Sequence, residues 1–362
     1  MNEFTLHPQV HATGQSRGLV GLLERTWVRE HTPGDGHMVI MSGFGNYNGG
    51  VRFYDTFRRH VSAGGKATAL LGGSTSQRLT SREVVGELLE CGVDVHLVNR
   101  KRLLHAKCYG TESSTGNRLV VTSGNFTGPG MSQNIEGSVY LDPVATQAMS
   151  FRWGQVLDSV FQQRWQFHRP SLADRNAPAW KLLYGEFEQD VALDESDDVT
   201  LLMTLSHADT ARIQAAPGTN AGKGTQYFWL SKDCYDFFPP LSILNTRGFK
   251  RTYSCIIKLR YVDFGETDND CRVTFEAENN VDFRLGTSRL RYTQLAAKGD
   301  MAAITRTGYD TYEMRMYRQD TPQFAVLSPY AVTFIGHQGK RYGFIPNEEF
   351  ATIVGVPIAA SK

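Results

Sequence analysis

Much that would place a chain at a glance is missing from this one. Its five cysteines, Cys91, Cys108, Cys234, Cys255 and Cys271, are odd in number and include no Cys-x-x-Cys pair. That argues against a disulfide framework and against structural zinc, so the thiols are expected reduced and mostly buried. No apolar run approaches the roughly 20 residues of a membrane-spanning helix, and Met1-Asn2-Glu3-Phe4 is neither basic nor apolar. A soluble, cytoplasmic protein with no secretory signal and no membrane partner is the expectation. No P-loop occurs, so any NTPase would have to act in trans. Asp263, Glu266, Asp268 and Asp270 cluster but lack the Gly-then-Glu spacing of a calcium loop, and a polar turn is the better reading. Neither a metal nor a cofactor is expected.

Net charge is also scant, +1 over 362 residues, but the balance hides a segregation. Residues 1–185 carry 19 Lys and Arg against 14 Asp and Glu, residues 186–198 carry seven carboxylates and no base, and residues 199–362 carry 19 against 16. Two mildly basic lobes thus flank an acidic connector, and a basic lobe suits a polyanionic partner because neutralising phosphates drives association. The length allows two domains, each with its own core.

The first lobe reads as α/β, a mixed sheet flanked by helices. Strand-like runs at His37–Met41, Ala67–Leu71 and Val93–Val98 alternate with helical stripes. One stripe holds Val51, Phe53, Tyr54, Phe57 and Val61, and another follows a capping box of Thr80 and Glu83. A long helix over about Ala145–Phe167 closes the lobe, with Met149, Trp153, Phe161 and Trp165 among its packing residues. Gly43, Gly45 and Gly49 hint at a dinucleotide loop, but the third glycine falls one place late, and a tight turn with backbone donors near the active site is expected instead. Prolines and the carboxylates Glu186, Glu188, Asp190, Asp194, Glu195, Asp197 and Asp198 mark a linker over 168–198. It is expected either as a solvated tether or as a phosphate mimic lying over the cleft.

The chemistry sits in one stretch. His105-Ala106-Lys107 is followed by Ser123-Gly124-Asn125 and then by Asn134-Ile135-Glu136. Leu103–Tyr109 reads as a strand with His105 and Lys107 on one face. A phosphodiester under attack spreads negative charge over its equatorial oxygens, and Lys107, Ser123 and Asn125 are suitable donors to it. A neutral imidazole of ordinary pKa about 6.5 can attack phosphorus if a carboxylate holds its other nitrogen, and Glu136 is the candidate for that hold. The catalytic set expected is therefore His105, Lys107, Ser123, Asn125 and Glu136.

This set resembles the phospholipase D superfamily signature, His-x-Lys followed by Gly/Ser-x-Asn. The surrounding text, from Gly72–Leu79 through Ser123–Glu136 to Ala208–Thr219, is similar to the metal-independent restriction endonucleases of the BfiI and NgoAVII kind. Glu112 stands where the superfamily has Asp and is left out of the catalytic set. The resemblance implies a phospholipase D-like nuclease and dimerisation domain over 1–167, and a B3-like pseudobarrel, all β, over 199–362. It implies a phosphohistidine intermediate, and since superfamily chemistry uses two such histidines while only His105 here is followed by Lys two places on, the second must come from a homodimer with one shared active site. On the same ground the expected partners include a companion DNA methyltransferase, and the alternative readings are the nuclease subunit of an NTP-dependent restriction complex with a helicase or NTPase partner, or a lipid phosphodiesterase on the same core.

The second lobe shows short runs such as Val199–Leu205, Gln226–Leu230, Tyr253–Leu259 and Arg272–Glu276 between turn residues, which reads as an all-β barrel. Its loops are expected to carry Arg212, Gln214, Lys223, Arg247, Arg272, Asn279 and Asn280 beside Trp229, side-chain types that read base edges and phosphates of double-stranded DNA.

Overall fold

The computed structural model describes residues 1–8, 10–100, 103–187, 198–247, 250–276, 282–335 and 339–355. The chain divides into two compact units, Met1–Gln189 and Asp190–Lys362.

The first unit is a nine-stranded mixed sheet. In chain order its elements are β1 (Glu3–His7), β2 (His11–Ala12), α1 (Gly18–Glu24), β3 (His37–Ser42), α2 (Tyr47–Gly50), α3 (Tyr54–Ser62), β4 (Lys66–Gly72), α4 (Arg82–Glu90) and β5 (Asp94–Asn99). There follow β6 (Cys108–Ser113), β7 (Gly116–Thr122), α5 (Gly128–Ser132), β8 (Glu136–Leu141), α6 (Pro143–Ala148), α7 (Trp153–Phe161) and β9 (Gln166–His168). The strands lie in the order β2-β1-β8-β7-β6-β3-β4-β5-β9. β3, β4 and β5 run parallel, joined by helical crossovers, while β6, β7 and β8 form an antiparallel meander. That alternation brings the start of β6, the end of β7, the start of β8 and the end of β3 to a single edge of the sheet.

A tryptophan pins the core on each face. Trp27 is buried against Phe53, Phe57 and Tyr109 and donates its indole N–H to Gly110 O at 3.1 Å. On the other face Trp153 packs with Val39, Met41, Val98, Leu104 and Leu157 and donates to Arg118 O at 2.9 Å. Gly110 must lack a side chain, because a Cβ there would meet Trp153 Nε1 at 2.6 Å. Truncating either ring to alanine would cost about 3–5 kcal/mol.

Three expectations about this unit are corrected. The long helix over Ala145–Phe167 is two short helices and a strand. Ser150 takes the left-handed conformation (φ 54°) between α6 and α7, and β9 then pairs antiparallel with β5. Met149 is left 60% exposed, whereas Trp153 is wholly buried. The α4 cap is Ser81, which accepts Val84 N–H at 3.2 Å, while the Thr80 hydroxyl donates to Gly72 O at 2.6 Å. Residues 169–187, placed in the linker on composition, pack onto this unit. Trp180 and Leu183 are buried, and the Trp180 indole donates to Ser171 O at 3.0 Å. Apolar side chains too sparse to form a stripe still find a surface to cover. Glu188, Asp190, Asp194, Glu195 and Asp197 lie outside the described residues.

The second unit holds β10 (Val199–Thr204), α8 (His207–Gln214), β11 (Tyr227–Leu230), β12 (Ile243–Arg247), β13 (Lys250–Tyr261), β14 (Glu266–Glu276) and β15 (Asp282–Gly286). It continues with β16 (Met301–Arg306), β17 (Thr311–Tyr317), α9 (Pro322–Leu327), β18 (Thr333–Ile335), β19 (Lys340–Pro346) and α10 (Asn347–Val354). Its ten-stranded sheet runs β11-β15-β14-β13-β17-β16-β10-β19-β18, with β12 pairing β13 beside that path. Among the described residues three short α-helices break the all-β expectation, and α9 and α10 cover a cluster of Leu202, Met301, Ala303, Leu327, Ile345 and Phe350. β16 is accordingly buried along its whole length, as a strand covered on both faces must be. β14 alternates instead: Cys271, Val273 and Phe275 are buried while Arg272 is exposed and Thr274 and Glu276 are partly exposed. One face of this end of the sheet therefore stays open.

Candidate functional sites

The five catalytic candidates occupy the convergent edge of the first sheet. The ladder between β3 and β6 stops at Met41↔Cys108, where β3 turns away at Ser42 and Gly43. His105 and Lys107 consequently precede the strand and do not lie on it, correcting the expectation of a strand over Leu103–Tyr109. The Leu104 carbonyl crosses directly over Gly43, where a Cβ would collide with it. The two side chains nevertheless meet, with Lys107 Nζ 3.2 Å from both ring nitrogens of His105. Equal distances mean that the ammonium is aimed along neither lone pair, so the ring keeps a nitrogen free for other chemistry. His105 is exposed and Lys107 buried. Burial pushes the Lys107 pKa down, and the Glu136 carboxylate opposes that shift.

Ser123 and Glu136 close the next side. Ser123 follows β7, its N–H donates to Gly137 O at 3.0 Å, and its Oγ accepts Gly137 N–H at 3.1 Å. The same hydroxyl donates to Glu136 Oε2 in a short hydrogen bond, and Asn134 Nδ2 donates to Glu136 Oε1 at 3.2 Å. Both carboxylate oxygens are engaged this way, and the side chain that meets the His105 ring is Lys107, where the sequence suggested Glu136. Asn125 is half-buried, with its Oδ1 facing Ser42 Oγ at 3.4 Å. Ser42 in turn donates to Phe44 O at 2.7 Å and accepts Phe126 N–H at 2.9 Å. The sequence reading missed Ser42, whose only signal was its place at the end of a strand before Gly43.

The neighbouring elements are structural. In the Gly43–Gly49 turn Gly45 N–H donates to Leu79 O at 2.9 Å, Asn46 N–H to Phe126 O at 3.1 Å and Gly49 N–H to Asn46 O at 3.1 Å, so these donors are spent within the protein. Glu112 accepts Gly154 N–H at 2.8 Å and so caps the start of α7. Glu186 is not a solvated tether residue: it accepts Tyr47 N–H at 2.8 Å, its own N–H donates to Glu83 at 2.9 Å, and burial raises its pKa to about 7. Among the described residues no group of three His, Cys, Asp or Glu side chains is arranged to hold a metal ion. The five cysteines form no disulfide, and four are buried and Cys108 partly so. No described helix is long and apolar enough to cross a membrane.

In the second unit the expected loop residues lie mostly on regular elements. Arg212 and Gln214 are on α8, Trp229 on β11, Arg247 at the end of β12 and Arg272 on β14. Registers Trp229↔Arg284↔Thr274 and Tyr227↔Gly286 set Tyr227, Trp229, Arg284 and Arg272 on the open face. The Arg284 guanidinium lies 5.3 Å from the Tyr227 ring centre and 5.7 Å from that of Trp229, and it pairs with Glu276. Tyr227 and Arg284 were missed, because their meaning depends on cross-strand neighbours. Arg212 donates to Lys223 O at 2.7 Å, and Arg272 to Ser254 Oγ at 2.9 Å. Gln214 turns away, donating to Ala296 O at 2.8 Å, while Lys223 is exposed. Asn279, Asn280 and the side chain of Arg247 lie outside the described residues.

An open face of arginines and aromatic rings suits a polyanion with stacked bases. Residues 193–357 match the BfiI DNA-binding domain. That family is described as the DNA-binding domain of the metal-independent restriction enzyme BfiI, so the BfiI-type match spans nearly the whole second unit. No curated protein matches the chain. Among solved structures, Nuc from Salmonella typhimurium, described as a phospholipase D family member, is 15% identical over 47% of this chain and 99% of its own, with TM-score 0.32. NucT from Helicobacter pylori is 14% identical over 44% and 96%, with TM-score 0.32. The N-terminal domain of Helicobacter pylori LlaJI.R1 is 11% identical over 41% and 97%, with TM-score 0.25. Likenesses this slight carry no argument, and the chemistry of the first unit rests on its own residues.

Proposed function

We propose that the chain is a site-specific DNA endonuclease whose first unit cuts and whose BfiI-type unit, a B3-like pseudobarrel, reads the sequence. The observation that carries the reading is the convergence of His105, Lys107, Ser123, Asn125 and Glu136 on one sheet edge, in a chain whose other half matches a DNA-binding domain. A ring nitrogen of His105 attacks phosphorus while Lys107 and the amide of Asn125 take up the charge growing on the equatorial oxygens. The P–O bond to the leaving deoxyribose oxygen breaks as that oxygen receives a proton from the corresponding histidine of a second copy. Water, losing its proton to the same second histidine, then cleaves the P–N bond and frees His105. Glu136 works one step out, fixing Ser123 and drawing the Lys107 ammonium into place.

This scheme needs no metal and needs two copies. Plasmid cleavage by the purified protein should persist in excess EDTA, and sequencing the product ends should return one recognition sequence. Strict magnesium dependence would overturn the mechanism. Hydrolysis of phosphatidylcholine without DNA cleavage would point to the lipid-directed reading.

A further inference from the structure

The second unit buries an ion pair at one edge of its sheet. Asp209 on α8 and Lys340 at the start of β19 are 131 residues apart, and their side chains are 0% and 3% exposed. Lys340 Nζ donates to both carboxylate oxygens, at 3.0 and 2.9 Å. The pair also takes both backbone groups of one residue: Trp229 N–H donates to Asp209 Oδ1 at 2.8 Å, and Lys340 Nζ donates to Trp229 O in a short hydrogen bond. β11 is the terminal strand of its sheet and pairs β15 along its other side. A carboxylate and an ammonium thus stand where a further strand would offer a carbonyl and an amide, and they satisfy an edge that would otherwise be unpaired.

The same carboxylate builds the start of α8. Asp209 Oδ2 accepts both the N–H and the hydroxyl of Ser206, at 2.7 and 2.6 Å, closing a capping box. The Asp209 carbonyl accepts Gln226 Nε2 at 2.7 Å, which ties the approach to β11 as well. Arg212 lies one turn further along α8, with its guanidinium 6.0 Å from the Tyr227 ring, and the Tyr227 and Trp229 rings stand 5.1 Å apart. One buried pair therefore fixes the helix that carries Arg212 relative to the strand that carries Tyr227 and Trp229.

Apolar side chains of like volume usually stabilise a core as well as a buried ion pair does, so such a pair is better suited to fixing geometry than to adding stability. We infer that Asp209 and Lys340 are positioning residues for sequence readout, holding Trp229 and Arg212 in one relative placement without touching DNA. The inference rests on the DNA-reading role of this unit proposed above.

The test uses the full chain carrying His105→Ala, so that bound duplex stays intact, with a duplex pool randomised at its centre as the probe. This parent should enrich one sequence. Asp209→Asn and Lys340→Met, each leaving one buried group unmatched, should lower that enrichment about 10- to 100-fold, the range of one or two lost base contacts. Affinity for an arbitrary duplex and its salt slope should stay within about twofold, since phosphate contacts set both. The double variant Asp209→Asn/Lys340→Gln keeps an acceptor for Trp229 N–H and a donor for Trp229 O with no buried charge, and it should regain most of the enrichment. Single variants that fold and enrich the parental sequence as strongly as the parent overturn the inference. If the singles do not fold, the double variant decides: an acceptor and donor in place but enrichment still absent from a folded protein also overturns it. A parent that enriches no sequence defeats the DNA-reading role itself, which is a separate result.

Discussion

The two units handle exposed polar chemistry in different ways. In the first, the candidate groups sit at strand ends and in the segments just beyond them, where adjacent antiparallel strands bring His105, Lys107, Ser123, Asn125 and Glu136 together from 32 positions of sequence. In the second, Trp229, Arg272, Tyr227 and Arg284 lie within strands and spread across one open sheet face. Bond breaking needs a few atoms brought to one point, and the end of a meander supplies that. Reading a duplex needs contacts distributed over a groove, and alternation along half-buried strands supplies a face of that kind.

This contrast is open to attack from either side. The largest effect is expected in the first unit. Lys107→Ala removes the buried cation beside His105 and should lower the cleavage rate about 10²- to 10³-fold while leaving the affinity for specific duplex unchanged, which single-turnover kinetics and equilibrium binding together would show. A parallel fall in binding would mean that the two tasks are not divided between the units. Arg212→Ala and Arg272→Ala should act in the opposite sense, each weakening specific binding by about 1–3 kcal/mol if the residue contacts a base edge. Chemistry in the bound complex should remain at the parental rate. If both variants bind the specific site like the parent, the open face is not the reading surface.

The smallest effect concerns stability and pH. His31 Nε2 and His60 Nδ1 are 3.1 Å apart and buried, and burial, with repulsion from His60, pushes the His31 pKa down to about 4. A neutral base in the folded state that protonates more readily when unfolded gives stability present above the unfolded pKa near 6.5 and lost as pH falls towards 4, on the order of 2–3 kcal/mol. Glu186 works against this trend, because its raised pKa of about 7 costs stability as pH rises through that window. The parent therefore shows a shallow profile, and the His31 contribution is read as a difference. Denaturation midpoints of the parent and of His31→Gln should converge as pH is lowered from 7 to 5. Parallel profiles would show that the pair is not buried neutral.

The convergence of the five candidate residues was legible because it lies in local order. His-x-Lys, Ser-x-Asn and a following Glu are short, and the strands that carry them are neighbours in sequence as well as in space. The start of β6 at Cys108 was not legible, since it is decided by β3 turning away at Gly43, more than 60 residues earlier. The helix break at Ser150 was hidden by a continuous apolar stripe, and the packed segment around Trp180 by the prolines and charges on either side of it. In the second unit the strands announced themselves by alternation, but the placement of Arg284 and Tyr227 on the open face and the pairing of Asp209 with Lys340 did not. Each depends on a partner that only the folded sheet brings near.

The central claim is that cutting and reading lie on different units, and His105 tests it most directly. Full-length His105→Ala, assayed beside the parent on plasmid in excess EDTA and on the recovered recognition duplex by equilibrium binding, should show no cleavage and parental affinity. Cleavage that survives the substitution, or specific binding lost in step with it, would contradict the account.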